Sequence, residues 1–185
     1  MFQKLIATIA NKLNKLGIPY MIIGGQAVLL YGEPRLTKDI DITLGLGAND
    51  YKKIVDITNE LNLKILVDDP ANFVNQFMVL PVIDKETSIK VDYIFSFTPY
   101  ELEAIKRSNK VQIKNVLVNF AALEDVIIHK IFAGRARDLE DIKNILLKNK
   151  NYDEVYILKY LGEFDKSLSE CFTEKFKNIL NELKR

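Results

Sequence analysis

The sequence has one cysteine, almost no net charge and no long apolar run, and each shortage excludes a class of protein. The single cysteine, Cys171, excludes an internal disulfide framework and a cysteine-rich zinc site. We interpret it as a small core residue. The formal net charge of +1 gives no global attraction to nucleic acid, although it is compatible with a local basic patch. The single histidine, His129, is assigned no chemistry.

No stretch of the sequence reaches the roughly 18 consecutive apolar residues that a membrane-spanning helix requires. The first segment, "MFQKLIATIANKLNKLG", is interrupted by lysines and asparagines, so it lacks the continuous apolar region of a signal peptide. We therefore expect a cytoplasmic protein with no membrane partner. At 185 residues, 48% hydrophobic and 28% charged, the chain is typical of one globular domain, or of a domain with a small helical annex.

The first 120 residues mix helix and strand patterns. A first helix is predicted over residues 2–16, where Gly17 and Pro19 end it, and a short second helix is predicted in "GQAVLLYG". A third helix is predicted to start after Asn49, which would be its N-cap, and a fourth to start at Thr98 and Pro99. Strands are predicted in "YMIIGG", "KDIDITLGL", "LKILV", "QFMVLPVID" and "TSIKVDYIFSF", the last two joined by a turn at "DKET". "KVQIKNVLVNF" is either one strand or a hairpin centred near Lys114.

From Leu123 onward the apolar period is helical. Helices are predicted in "LEDVIIHKIFAG", which Gly134 ends, and in "RDLEDIKNILLKN", "YDEVYILKYLGEF" and "KSLSECFTEKFKNILNELKR". The fold class is therefore α/β (α+β): a small mixed sheet with flanking helices over residues 1–120, followed by a helical C-terminal region over 121–185 that we expect to pack on the core.

Two aspartates stand two residues apart in an apolar strand, in "DIDI". Because side chains alternate across a strand, Asp39 and Asp41 point to the same face. Two such carboxylates repel by roughly 3 kcal/mol at an effective dielectric near 20, so either a cation lies between them or one carboxyl is protonated. Asp92, in "IKVDYIF", is a third strand-borne acid, and Asp84 is a rival beside Lys85. Three converging acids would suit Mg²⁺, and two such ions can assist an in-line phosphoryl displacement.

A glycine pair, Gly24-Gly25, ends a predicted strand just before a short helix. Free backbone N–H groups and the helix N-terminus at such a turn favour an anion such as a triphosphate. The pair alone is weak evidence, but a same-face aspartate pair some fourteen residues later makes the pattern far more specific.

The segment "IIGGQAVLLYGEPRLTKDIDI" resembles the signature of the polymerase-beta-like nucleotidyltransferase superfamily. Its part "RLTKDIDI" is most similar to the AbiEii-type toxin nucleotidyltransferases and their relatives, and antibiotic nucleotidyltransferases share the same core. Residues 20 to 95 carry the likeness well, and "EDVIIHKIFAGRARDLEDI" carries it more loosely. Gln26 departs from the serine that is common in other branches.

The resemblance implies a metal-dependent enzyme that transfers a nucleoside monophosphate from a nucleoside triphosphate, ATP among the candidates, to an acceptor hydroxyl with release of pyrophosphate. It implies Asp39, Asp41 and Asp92 as catalytic residues that hold Mg²⁺ or Mn²⁺. It implies Gly24, Gly25, Arg35 and Lys130 as nucleotide-binding residues. The acceptor could be a tRNA end, a protein or a small molecule, and a toxin would have an antitoxin partner.

Several of these residues have a structural alternative. Arg35 could pair with Glu33 instead of a triphosphate, and Lys130 could be a solvated helix residue. Thr37 is interpreted as a hydroxyl that braces the acidic strand. Helix capping and local salt bridges explain the charges in "GRARDLEDI". For the whole chain, the alternative function is a non-catalytic, antitoxin-like binding protein that retains the fold.

Overall fold

The structure, a computed structural model, describes residues 1–34, 36–96 and 98–184, which fold into two compact units. The first unit comprises Met1–Gln26 and Leu36–Ala121. The second comprises residues 27–34 and the described residues from Ala122 onward. The division predicted after residue 120 assigned residues 27–34 to the core, whereas here they belong with the C-terminal residues.

A mixed sheet of seven strands organises the first unit within the described residues. The strands are β1 (Tyr20–Ile23), β2 (Asp39–Leu44), β3 (Leu63–Ile65), β4 (Val79–Asp84), β5 (Lys90–Phe95), β6 (Asn109–Ile113) and β7 (Val116–Phe120). Their order across the sheet is β3-β4-β5-β2-β1-β7-β6. β2 runs parallel to β5 and β1 parallel to β7, and all other neighbours are antiparallel.

Helices lie in both units, and together with the sheet of the first unit they confirm the predicted α/β class with a helical C-terminal region. They are α1 (Phe2–Lys15), α2 (Gly24–Tyr31), α3 (Tyr51–Glu60), α4 (Pro70–Phe77), α5 (Pro99–Lys106), α6 (Leu123–Ala133), α7 (Ala136–Lys148), α8 (Glu154–Leu168) and α9 (Phe172–Leu183). The boundary between the units falls inside α2, after Gln26. No described helix has the length and apolarity needed to cross a bilayer.

The two faces of the central strands differ in burial. On one face Ile40 and Ile42 of β2 and Val91 of β5 are fully shielded, because period-two alternation places them in the core. On the other face Asp39 is exposed and Asp92 is half-buried. The central sheet therefore has one core face and one face that carries ionisable side chains.

Three local predictions were wrong. The segment between β3 and β4, predicted as a breaker followed by strand, forms α4, because Asp69 accepts from the Asn72 amide and Pro70 occupies the first turn. Asn49 lies in a 3₁₀ turn, Ala48–Asp50, and does not cap α3. The sequence "YDEVYILKYLGEF" continues as α8 to Leu168.

The predicted core role of Cys171 was also wrong, because this residue is exposed at the start of α9. The ambiguous segment "KVQIKNVLVNF" is the hairpin of β6 and β7, with Lys114 in the left-handed region at φ +53°. The capping box at Thr98 and Glu101 confirms the predicted start of α5.

Candidate active site

Three aspartates lie together on the exposed face of the sheet. β2 and β5 pair in parallel with Asp41 opposite Asp92, and Asp39 is two residues before Asp41 on the same strand. Residues directly opposite on neighbouring strands point to the same face, so all three carboxylates are on one side. The position of Asp92, which the sequence left uncertain, is therefore beside the aspartate pair.

Gly24 lies directly beneath one of these carboxylates. Ile23 is opposite Asp41 in the register, and Gly24 follows it with φ +61°, in the left-handed region. A Cβ built on Gly24 would lie 1.9 Å from Oδ2 of Asp41. The carboxylate thus occupies the space that a side chain at position 24 would need. Glycine is required here for close approach as well as for the backbone conformation.

The start of α2 is tied to the segment that precedes β2. The Gln26 amide Nε2 donates to Thr37 Oγ1 at 2.5 Å, and both side chains are buried. This contact gives Thr37 the bracing role interpreted from the sequence. It also gives Gln26 a structural partner at the position where other branches carry serine.

Two neighbouring charges act on the Asp92 carboxyl in opposite directions. Burial raises the pKa of the Asp92 carboxyl, the charge of Asp39 raises it further, and Lys90 lowers it. Lys90 is opposite Asp39 in the register, so it belongs to the same face. The sequence analysis did not single out Lys90. Its position two residues before Asp92 was the available signal, but its placement beside Asp39 depends on strand pairing.

The donor set fits a hard divalent cation. Carboxylate oxygens from two neighbouring strands are the ligands that Mg²⁺ and Mn²⁺ prefer, and the mutual repulsion of Asp39 and Asp92 is what a bound cation would relieve. Within residues 1–34, 36–96 and 98–184, no three His, Cys, Asp or Glu side chains are arranged so that they could hold a metal ion. Metal binding would therefore require the carboxylates to turn toward a common ion.

Asp84, the rival third acid, has a local role in the turn between β4 and β5. Its Oδ2 accepts from the Thr87 amide at 3.1 Å and from the Thr87 hydroxyl. These bonds are those of a turn-forming aspartate.

The remaining predicted nucleotide-binding residues are Gly25, Arg35 and Lys130. Gly25 is buried in the first turn of α2. Arg35 lies outside the described residues. Lys130 belongs to the second unit, where its Nζ is 2.7 Å from Oδ1 of Asp138 and 2.7 Å from Oδ2 of Asp141.

This cluster is buried, so Lys130 is not the solvated helix residue considered from the sequence. Arg135 Nε completes it at 2.6 Å from Asp138 Oδ2. Burial alone would raise the pKa of Asp138, but hydrogen bonds and charges from Arg135 and Lys130 hold it below its usual value. A phosphate contact by Lys130 stays a prediction, and it would have to compete with two carboxylates.

Solved structures with a similar fold include an antibiotic-resistance factor, an antibiotic adenylyltransferase and a putative nucleotidyltransferase. The antibiotic-resistance factor ANT(2'')-Ia is 15% identical with a TM-score of 0.57, covering 98% of this chain and 94% of that one. A lincomycin-bound lincosamide antibiotic adenylyltransferase, LnuA, is 17% identical with a TM-score of 0.51, covering 73% of this chain and 90% of that one. At these identities the similarity establishes the fold.

A putative nucleotidyltransferase from Thermotoga maritima is 16% identical with a TM-score of 0.53, covering 80% of this chain and 94% of that one. No curated protein matches the sequence significantly. A sequence model of one family, described as nucleotidyltransferase of unknown function (DUF6036), matches residues 2–180. Since that match spans nearly the whole chain, the protein belongs to this nucleotidyltransferase family.

Proposed function

We propose that this protein transfers a nucleoside monophosphate from a nucleoside triphosphate to an acceptor hydroxyl and releases pyrophosphate. The observation that carries the proposal is the parallel register of β2 and β5, which places Asp92 opposite Asp41 on the face that also holds Asp39. Family membership supports the reaction class. The adenylyltransferase name of one structural neighbour and the nucleotidyltransferase name of another are consistent with it.

Asp39, Asp41 and Asp92 would hold the divalent cations, which supply charge neutralisation at the entering and leaving oxygens when bound. Gly24 keeps the Asp41 carboxylate close to the start of α2, and the amides of this turn would face the triphosphate. Asp92 would take the proton of the acceptor hydroxyl, either directly or by lowering the pKa of that hydroxyl through the metal. Arg35 and Lys130 stay proposed phosphate ligands.

The acceptor is proposed as an RNA end, a protein hydroxyl or a small molecule. Similarity of "RLTKDIDI" to AbiEii-type enzymes supports a toxin acting on a macromolecule, with an antitoxin partner. Two structural neighbours, one lincomycin-bound and one in complex with adenylyl-2''-tobramycin, support a small molecule.

The test is nucleotide transfer from α-labelled nucleoside triphosphates with Mg²⁺ or Mn²⁺, in the wild type and in Asp41→Asn, Asp92→Asn and Asp84→Asn. We expect both site variants to lose at least about a hundredfold in transfer, because each removes a ligand on which the reacting phosphate depends. Asp84→Asn is the matched control, since among the described residues the Asp84 side chain bonds to Thr87 of its own turn. It should retain transfer within about threefold.

A melting curve with and without Mg²⁺ and nucleotide supplies a readout that does not need the acceptor, because a bound ligand raises the melting temperature. Absence of any shift at saturating nucleotide would contradict the proposal. It would favour the non-catalytic binding protein.

A further inference from the structure

We propose that one edge of the first unit binds the phosphate backbone of a double-helical nucleic acid. This surface is formed by α1, β6 and the turn between β6 and β7, and is called the basic edge below. Its members are Lys4, Thr8, Asn11 and Lys15 of α1, Lys110 of β6 and Lys114 of the turn. The inference rests on the charges and the shape of this edge and does not depend on the proposed function.

Two segments of the first unit contain no acidic residue. Residues 1–26 and 104–121 together carry seven Lys and Arg and no Asp or Glu, which leaves 19 of the 26 basic residues and all 25 acidic ones for the rest of the chain. The near-neutral total therefore conceals one positive region and a negative remainder. A concentrated positive region is what a polyanion requires of its binding surface.

The fold brings these two segments together. The helix α1 packs against β7, and the Asn14 side chain donates to the Leu117 carbonyl at 2.9 Å. β7 pairs in turn with β6, which stands at the end of the strand order. The basic residues of the helix, of β6 and of the turn therefore lie along one edge of the unit.

One stripe of α1 faces outward along this edge. Lys4, Thr8, Asn11 and Lys15 follow one another at intervals of three or four residues, so they share a side of the helix, and all four are exposed. At 1.5 Å per residue, Lys4 and Lys15 are about 16 Å apart. A duplex carries roughly one phosphate charge per 1.7 Å of its axis, so a stripe of this length can meet several phosphates.

A cleft of about 310 Å³ lies between this stripe and the turn. Lys4, Thr8 and Asn11 line it from the helix, and Lys114 and Asn115 line it from the turn. No carboxylate belongs to its described lining. Two ammonium groups, a hydroxyl and side-chain amides are the donors that a phosphate oxygen accepts from, so the cleft suits a phosphate group.

The acids that border the basic edge do not neutralise it. Glu60 pairs with Lys12 and Glu103 pairs with Lys106. Among the described residues, no ion-pair partner is found for Lys4, Lys15, Lys110 or Lys114. A lysine on an edge strand can serve to block pairing with another chain, but this explains only Lys110, because the other three lie outside the strand.

The side chains of the edge favour the backbone of a duplex over unpaired bases. Hydroxyl and amide groups between lysines are typical contacts of phosphate and sugar. Unpaired bases would require aromatic faces on which to stack. The aromatic residues of the two acid-free segments are Phe2, Tyr20 and Phe120, and none of them is exposed.

The test measures the fluorescence anisotropy of a labelled RNA duplex of about 20 base pairs, of a DNA duplex with the same sequence, and of oligo-U of equal length, each titrated with the full chain. We expect at least one duplex to bind about fivefold or more tightly than the single strand at low salt. Its affinity should fall with a logarithmic salt slope of about −3 to −4, because about four phosphate contacts release their counterions. A difference between the RNA and the DNA identifies which duplex is the partner.

The double variant Lys4→Glu/Lys114→Glu should weaken duplex binding at least about tenfold and flatten the salt slope by about two. Lys52→Glu/Lys64→Glu is the matched control, because these lysines are exposed in the same unit outside the basic edge and the change in net charge is equal. The control should retain duplex binding within about threefold. Melting curves show that both variants are folded.

Equal losses in the two double variants, tighter binding of the single strand than of either duplex, or no duplex binding at low salt would overturn the inference. Binding of phosphatidylserine vesicles without duplex binding would also overturn it and assign the edge to a membrane surface. The melting shift with Mg²⁺ and nucleotide is measured on the same samples. Its absence alone would overturn the proposed function, whereas absence of duplex binding alone would overturn this inference.

Discussion

At the scale of single residues, two glycines share a backbone conformation but differ in what surrounds them. Gly17 and Gly24 have φ of +64° and +61°. A Cβ on Gly17 would meet nothing within 4 Å, whereas one on Gly24 would collide with the Asp41 carboxylate. Comparing substitutions at the two positions therefore separates the free-energy cost of a left-handed backbone from the cost of moving the Asp41 side chain.

We predict that Gly17→Ala loses about 1 kcal/mol of stability and that Gly24→Ala loses at least that much, because each places a side chain at positive φ. Only Gly24→Ala should also lose transfer activity, by at least about a hundredfold, since the Asp41 carboxylate has to rotate away. Urea unfolding and nucleotide transfer measure the two effects. Full activity in a folded Gly24→Ala variant would show that the position of Asp41 is unimportant.

A second residue-scale prediction concerns two buried tyrosines. The Tyr93 ring is fully buried, and no partner for its hydroxyl is found in the described part of the chain. Burial raises the pKa of Tyr93. Tyr93→Phe should leave stability unchanged or increase it by up to about 1 kcal/mol, because it removes a hydroxyl that is desolvated without a hydrogen bond.

Tyr20→Phe is the matched control for this change. The Tyr20 hydroxyl accepts from the Asn119 amide at 3.3 Å and is equally buried. This variant should lose about 1 kcal/mol in the same urea titration. Equal destabilisation of the two variants would contradict the assignment of Tyr93.

At the scale of elements, one carboxylate caps a helix from outside it. Cys171 precedes α9 but makes no side-chain cap bond. Instead Asp165, near the end of α8, accepts from the Phe172 amide at 2.5 Å and from the Thr173 amide at 3.1 Å. Burial would raise the pKa of Asp165, but these hydrogen bonds and Lys175 hold it below its usual value.

We predict that Asp165→Ala costs about 1–2 kcal/mol, because it leaves two amides in the first turn of α9 without an acceptor. Asp165→Asn should lose less, since it retains one acceptor oxygen. Hydrogen exchange should be faster in α9 than in α6 of the alanine variant. Uniform acceleration over both helices would instead indicate global destabilisation.

The elements also show what could be predicted from the sequence. The carboxylate pair and α5 were readable because they depend on local rules: alternation in "DIDI", and a capping box with proline in the first turn. The helix α4 was missed because "DDPAN" was interpreted as a breaker, although Asp69 and Pro70 are also the start signal of a helix.

The pairing of the strands was not readable from the sequence, so Asp92 was predicted only as a strand-borne acid and through the family resemblance. Placement of Asp92 opposite Asp41, and of Lys90 opposite Asp39, follows from a parallel register between strands that are about fifty residues apart. Period-two alternation fixes the face within one strand but not the partner of that strand. The buried group of Lys130, Asp138 and Asp141 was likewise not predicted: the sequence indicated local salt bridges for the two aspartates, and a solvated position or a phosphate contact for Lys130.

At the scale of the whole molecule, the single histidine makes stability depend on pH. The Nε2 atom of His129 is shielded from solvent, and burial lowers the pKa of the imidazole to about 4. The unfolded chain, with an ordinary pKa near 6.5, then binds more protons between these two values. Stability from the neutral imidazole is full above about pH 6.5 and is lost as the pH falls toward 4.

We predict that lowering the pH from 7 to 4.5 costs the wild type on the order of 2 kcal/mol more than it costs His129→Gln, which does not titrate there. Urea midpoints at the two pH values measure the difference. The depressed pKa of Asp138 contributes to the pH dependence at lower pH. The stabilisation from its carboxylate is lost only as the pH falls below the ordinary aspartate pKa. Identical pH dependence in both proteins would show that His129 is protonated alike in the folded and unfolded states.

The parallel pairing of β2 with β5 also bears on how the protein is made. A ribosome releases Asp39 and Asp41 some fifty residues before Asp92, and a parallel pair needs the intervening chain to be complete before it can form. A nascent or prematurely terminated chain that stops before β5 therefore carries two of the three acids and cannot assemble the centre. Only chains extended past Phe95 can bring all three acids to one face of the sheet.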